Sequence, residues 1–225
     1  MRSRKRTFTN RVLVEGADDK RLLPELVERL GVNWGDSESA WIAEVKEMEG
    51  ISNLLAEGVI EAECKASGIK RLGIIVDADS DAATRWKEVW NRLSVSVPDC
   101  PPDLPPNGLV HQSERLRIGV WIMPDNLSRG MFETFMLFLI DNDDSGLFRH
   151  ANDSAKKAAS EFNARFKTAH FDKAAMHTWL AWQDPPGRQS HQAVKERIFQ
   201  ADTAQSRLFV DWFINLFELP PVSRT

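Results

Sequence analysis

Leu72-Gly73-Ile74-Ile75-Val76-Asp77-Ala78-Asp79-Ser80-Asp81 is the stretch from which the fold can be read. Five small or apolar residues run without a polar break into three aspartates at alternate positions. An apolar run of this length, bounded by a turn signal, predicts a strand buried on both faces, as in a parallel sheet. The aspartates then lie at the strand's C-terminal end, where open α/β sheets place their ligands. If the backbone stays strand-like, Asp77 and Asp79 share a face, because the side-chain period is two. Carboxylates that close repel one another unless a cation lies between them, and a hard divalent ion with oxygen ligands suits them. A plainer reading stands beside this one: Asp77 ends the strand, Asp79 is solvated, and Asp81 caps the next helix.

Working outward, Arg11-Val12-Leu13-Val14-Glu15-Gly16 is a shorter apolar strand ending in a glutamate and a glycine. Asp18 is placed to cap a helix whose apolar face is Leu22, Leu23, Leu26, Val27 and Leu30. A second strand is expected within Ala40–Met48, and a helix from Ile51 to about Ala66. After Asp81 a further helix carries Trp86, Val89, Trp90 and Leu93 on one face. Three strand-then-helix units in succession predict an α/β fold with a mostly parallel sheet flanked by helices. Five of the 11 prolines fall within Pro98–Gly108, which is therefore an extended loop. Leu109–Gln112 and Arg117–Met123 read as two strands, which either form an edge hairpin or include, as their second member, the fourth parallel strand. Pro124-Asp125-Asn126 follows as an acidic turn, and Gly130-Met131-Phe132-Glu133 opens a helix to about Ile140. Beyond that the pattern turns helical: Ser154–Lys167, His170–Trp182, His191 to about Ala201, and Ser206–Leu216, with Phe162, Phe166, Trp179 and Trp182 expected as buried anchors. The chain thus divides into a basic arm (1–9), an α/β domain (10–140) and a C-terminal helical extension (141–225) packed on it.

Composition narrows the function. Hydrophobic content of 42% and charged content of 28% are ordinary for a globular protein. A net charge of −4 argues against nucleic-acid binding through overall basicity, and the one dense basic cluster is Arg2-Ser3-Arg4-Lys5-Arg6. No apolar stretch follows that cluster, so a signal peptide is not expected. The longest apolar run, Met136–Ile140, is too short to span a bilayer. Cys64 and Cys100 are isolated, which fits reduced thiols and a cytoplasmic location. The histidines at 111, 150, 170, 177 and 191 show no zinc spacing.

Two acidic strand ends, VEGADD at 14–19 and VDADSD at 76–81, in that order, resemble the Toprim domain. This is the magnesium-binding α/β module of topoisomerases, bacterial primases and several nucleases. The Glu-x-x-x-Asp spacing of Glu15 and Asp19 looks most like the overcoming-lysogenization-defect type of nuclease. The whole layout looks like small stand-alone bacterial Toprim-like proteins, in which Pro-Asp-Asn and Gly-x-x-Glu segments also recur. The resemblance covers roughly 10–135. It implies Mg²⁺ (or Mn²⁺) chemistry at a phosphodiester, with Asp19, Asp77, Asp79 and Glu133 as metal ligands. It assigns Glu15 to proton transfer or to metal binding. Asp81 and Asp125 are secondary acidic candidates, each with a local structural role as the plainer reading. Lys20, Arg21, Arg129 and Arg188 are the cations to search for phosphate contacts.

The function expected on this basis is Mg²⁺-dependent phosphoryl transfer, as a nuclease acting on DNA or RNA. The alternative is a non-catalytic metal- or nucleotide-binding module that works with a partner ATPase in a defence-type system. A topoisomerase is argued against by the absence of any tyrosine, which removes the covalent phosphotyrosine step. A receiver domain would carry paired acids after its first strand and a lone aspartate after its third, the reverse of what stands here.

Overall fold

The computed structural model describes residues 8–141, 143–200 and 203–222. The basic arm of the sequence reading lies almost wholly outside them, as does Ala201. Five strands, β1 (Asn10–Val14), β2 (Glu44–Glu47), β3 (Arg71–Asp77), β4 (Leu109–Gln112) and β5 (Arg117–Met123), form one sheet in the order β2-β1-β3-β5-β4. The pairs β1–β2, β1–β3 and β3–β5 are parallel, and β4 runs antiparallel to β5 at one edge. Both readings of the second strand pair therefore hold: β4 and β5 make an edge hairpin, and β5 is also the fourth parallel strand.

β3 is buried along its length on both faces, as its apolar run requires. Its even-numbered residues Leu72, Ile74 and Val76 pack with Ile118, Val120 and Ile122 of β5 under α2 (Ile51–Leu54), α3 (Val59–Cys64) and α4 (Ala82–Leu93). Odd-numbered residues of the same strands face the opposite layer. That layer is built from α1 (Ala17–Arg29), α5 (Phe132–Leu137), α6 (Ser145–Glu161), α7 (Phe171–Leu180), α8 (Ser190–Lys195) and α9 (Ala204–Phe217). Alternation along buried strands thus yields a three-layer α/β sandwich.

α9 lies against the centre of the sheet because two glycines stand side by side there. Gly73 and Gly119 are register partners, and a Cβ on either would come within 3.1 Å and 2.8 Å, respectively, of Leu216. The missing side chains leave a shallow dip that Leu216 fills. Around it, Trp121 of β5 meets the edge of Phe209 and tilts against Trp212.

Gly108, at the end of the proline-rich loop, has φ +78, and a Cβ there would lie 2.6 Å from Trp212 and 2.8 Å from Trp121. Gly108→Ala therefore combines a left-handed backbone with overpacking between two rings. We expect it to lower stability by about 2–4 kcal/mol in urea titrations; a loss below about 0.5 kcal/mol would mean that the rings give way freely.

Several local expectations need correction. The expected helix from Ile51 to Ala66 is two short helices, because Gly58 sits at φ +79 between them. Asp18 does not cap α1: Gly16 is the N-cap, and its N–H donates to Asp19 Oδ2 at 2.9 Å. The helix expected from Ser154 begins earlier, at Ser145, and ends at Glu161. The last expected helix before Ala201 stops at Lys195. Phe162 and Trp182 are not anchors, being 69% and 42% exposed. Phe162 follows the end of α6, and Trp182 stacks on His150 at the surface. Trp179 is fully buried, as expected.

Candidate acidic active site

The parallel strands β1 and β3 end side by side, so their terminal acids meet at the crest of the sheet. Glu15 follows β1 directly, and its Oε1 accepts the backbone N–H of Asp77 at 2.7 Å. Asp77 closes β3, and its Oδ1 accepts the N–H of Phe132 at the start of α5, at 2.9 Å. Asp19, in the first turn of α1, commits Oδ2 to Gly16. Each of the three carboxylates has one oxygen fixed by a backbone amide, and among the described residues the other has no hydrogen-bond donor. They share an open cleft of about 700 Å³ with Asp79, Glu133 and Lys173.

Asp79 departs from the expected geometry. The strand stops at Asp77, and Asp79 takes φ +53, a left-handed conformation that aspartate tolerates better than most residues. Its backbone forms a two-way bridge with Gly130, N–H to O at 2.8 Å and O to N–H at 2.9 Å. Its side chain, 43% exposed, pairs with Arg85 Nη2 at 2.6 Å. Asp77 and Asp79 line the same cleft but do not point the same way as strand neighbours would.

Arg85 and Lys173 are ion-pair partners of the cleft acids that sequence reading missed. Arg85, on the second turn of α4, donates Nε to the Asp77 carbonyl at 2.8 Å and Nη1 to Glu88 at 2.8 Å, besides its bond to Asp79. Lys173, on α7, brings Nζ to 2.8 Å from Glu133 Oε1 and 3.8 Å from Asp18 Oδ2. Glu133 is itself only 13% exposed. For Arg85 a signal existed, since Asp81-x-x-x-Arg85 puts a cation one turn above a cap. For Lys173 none did: it stands far beyond Glu133 in the chain and arrives only through packing of α7 on α5.

Burial and like charge leave their mark on the acids. Burial pushes the Glu15 carboxyl up to about 7; the Asp77 amide and Arg85 oppose this, and Asp79 and Asp19 add to it. Burial likewise raises Asp19 to about 6, against the Gly16 amide and Lys173 and with help from Glu133. Asp77 is held well above the ordinary range by burial first and then by Glu15, Asp19 and Glu133. Burial alone would lower Lys173, but contact with Glu133 and the charges of Asp18 and Asp19 outweigh it, and its pKa is raised. Two internal cations thus neutralise only part of an acid cluster.

The remaining candidates lie elsewhere. Asp81 caps α4, accepting the Thr84 N–H at 2.7 Å. Asp125 uses its carboxylate within its own turn, on the N–H groups of Leu127 and Ser128 and the Ser128 hydroxyl. Its neighbour Asn126 is the buried member of that turn, bonding Ile122 N–H and the Pro106 carbonyl. Arg188 pairs with Glu196 at 2.8 Å, away from the cleft. Arg129 is exposed and does not line the cleft. Lys20 and Arg21 line a neighbouring groove instead.

Half-buried carboxylates from three elements, each with one oxygen free of hydrogen bonds among the described residues, are the ligand type a hard divalent cation takes. Glu15, Asp19 and Asp77 would hold it, with Glu133 once Lys173 lets go. Among the described residues no group of three or more His, Cys, Asp or Glu side chains is placed to hold a metal ion as it stands.

Fold and site together define a class: a mostly parallel α/β protein with a cluster of acids at the carboxyl crest of its central strands. Residues 9–218 match the family model described as "Protein of unknown function (DUF3226)", and the chain belongs to that family. No curated protein and no solved structure matches it.

Proposed function

We propose that this protein carries out Mg²⁺-dependent phosphoryl transfer, cleaving phosphodiesters of DNA or RNA at the cleft formed by Glu15, Asp19, Asp77, Asp79 and Glu133. The observation that carries this reading is the convergence of Glu15, Asp19 and Asp77, each half-tied to a backbone amide and half-free, with too little internal positive charge. Such a cluster is costly to keep unless a cation or a proton completes it. The Toprim-like motifs of the sequence point the same way.

A Mg²⁺ (or Mn²⁺) held by Glu15, Asp19 and Asp77 would supply positive charge for the phosphoryl oxygens and lower the pKa of a water. The chain's own residues do the rest. Backbone amides of Asp77, Phe132 and Gly16 orient the carboxylates. Glu15, poised near neutrality, can accept a proton on Oε2 while Oε1 remains on the Asp77 amide. Lys173 lines the cleft and, released from Glu133, would meet a phosphate bound there. A second reading, the non-catalytic module serving a partner ATPase, is favoured by one feature: Arg85 and Lys173 already occupy Asp79 and Glu133. No helix among the described residues is long and apolar enough to cross a membrane. We place the protein in the cytoplasm, which keeps the unpaired thiols of Cys64 and Cys100 reduced.

The test is cleavage of labelled DNA and RNA with Mg²⁺ or Mn²⁺. Wild type should cleave, and Glu15→Gln and Asp79→Asn should each lower the rate by about 10²-fold or more. Calorimetric binding of Mn²⁺ without cleavage of any substrate would favour the second reading. Cleavage that survives both substitutions would remove the cleft from the chemistry.

A further inference from the structure

A second groove, of about 670 Å³, runs beside the acidic cleft between α1 and the edge strand β2, and Ala17 lines both. On the helix side its wall is one face of α1: Ala17, Lys20, Arg21, Pro24, Glu25 and Glu28, at the spacing of successive turns. On the strand side it follows Trp41, Val45 and Glu47.

The two ends of this groove differ. At the crest, Glu47 is the register partner of Val14, so this end opens beside Glu15. Lys20 and Arg21 stand here; Arg21 has only a 3.6 Å contact to Asp18, and Lys20 forms no ion pair among the described residues. At the far end is Trp41. Its neighbour Ile42 accepts a hydrogen bond from the side chain of Asn10, the first residue of β1, and donates its own N–H to Trp34. Trp41 is 40% exposed and makes no ring contact among the described residues. The carboxylates of Glu28 and Asp36 lie at this end, whereas Glu25 is engaged by Lys195 at 3.6 Å. β2 itself, from Glu44 to Glu47, is roughly 10 Å long at about 3.3 Å per residue.

We infer that this groove binds a single-stranded segment of nucleic acid a few nucleotides long, with a base stacked on Trp41 and phosphates on Lys20 and Arg21, leading the strand into the acidic cleft. The polarity of the groove carries the assignment. Lys20 and Arg21 outnumber Glu47 at the end where a backbone must approach the acids, and at the other end the Trp41 indole, with no ring partner among the described residues, stands where a base would lie. Carboxylates beside that indole accept hydrogen bonds from base amino groups. Stacking on Trp41 needs an unpaired base, so the occupant is a single strand and not a duplex. The inference rests on reading the cleft as a phosphodiester centre, because only then does the shared wall at Ala17 join two parts of one substrate path.

The experiment is fluorescence anisotropy with a labelled oligodeoxycytidine of about twelve nucleotides and the matching duplex, in Ca²⁺ and again in EDTA, with Mn²⁺ calorimetry on the same proteins. Wild type should bind the single strand more tightly than the duplex. Trp41→Ala should weaken single-strand binding about tenfold or more, and Trp41→Phe should retain most of it. Lys20→Ala with Arg21→Ala should lower the slope of log K against log salt by about 1.4. Circular dichroism establishes that each variant is folded; Trp41→Phe serves if Trp41→Ala is not. Equal binding by Trp41→Ala and wild type, equal affinity for duplex, or no binding by wild type would overturn the inference. Mn²⁺ binding without oligonucleotide binding overturns the groove and leaves the cleft standing; Trp41-dependent binding without Mn²⁺ binding does the reverse.

Discussion

Asp77→Asn should make the metal-free protein more stable while depriving it of Mg²⁺. The substituted amide keeps an oxygen to accept the Phe132 N–H, so the bond that ties β3 to α5 survives. What is lost is one of the charges crowded against Glu15, Asp19 and Glu133. The sign of the pH dependence follows from the direction of the shifts. Raised acids make the folded chain bind more protons than the unfolded chain. Their contribution to stability is therefore fully present below the ordinary values of 4.5 and 3.8, and is lost as pH rises through about 7 for Glu15 and about 6 for Asp19. Above pH 7 the substitution should add about 1–3 kcal/mol, which raises Tm by roughly 3–10 °C; near pH 4 the gain should shrink toward zero. Thermal melts in EDTA across that range, and titration with Mn²⁺ at neutral pH, give both halves of the result. A variant that unfolds without metal would make Asp77 a purely structural hydrogen-bond acceptor.

The second large effect lies far from the cleft. Phe213 is completely buried in α9, with ring neighbours Phe217 at 4.8 Å, Trp34 at 6.0 Å, Trp212 at 6.4 Å and Phe209 at 6.5 Å. Trp34 belongs to the loop after α1, so this one ring joins the last helix to the first βα unit. Phe213→Ala should cost about 3–5 kcal/mol, a large part of the roughly 5–15 kcal/mol of net stability typical of a domain. Because the layer over Gly73 and Gly119 is continuous, the loss should appear as one cooperative urea transition moved to lower midpoint. Two transitions, with the earlier confined to the C-terminal helices, would show instead that residues 141–217 fold as a separate unit.

Much of this was legible in the sequence. The run before Asp77 announces a strand buried on both faces because nothing polar interrupts it, and Asp81 announces its helix because a cap is a local event. The meeting of Glu15 with Asp77 needed one further step, the rule that successive βα units lay their strands parallel. What stayed hidden depends on longer paths. Lys173 reaches Glu133 only after α6 and α7 have packed on α5. The α9 contact had a readable trace in the glycines at 73 and 119, since glycine inside an apolar strand signals close approach, but which segment approaches is set by the whole layer. Trp182 and Phe162 misled because both sit near helix ends, where an aromatic residue finds fewer neighbours than periodicity implies.

The bridge between Asp79 and Gly130 gives the crest an unusual mechanics. The loop that follows β3 and the loop that leads into α5 are clasped by two hydrogen bonds of nearly equal length, and each loop carries an acid of the cleft, Asp79 on one and Glu133 just beyond the other. Neither loop can swing without dragging its partner. The backbone segments that carry the two acids are therefore coupled, and a displacement of one is expected to move the other. The Asp79 and Gly130 amides, each donating to the other residue's carbonyl, should therefore exchange with solvent at matched rates.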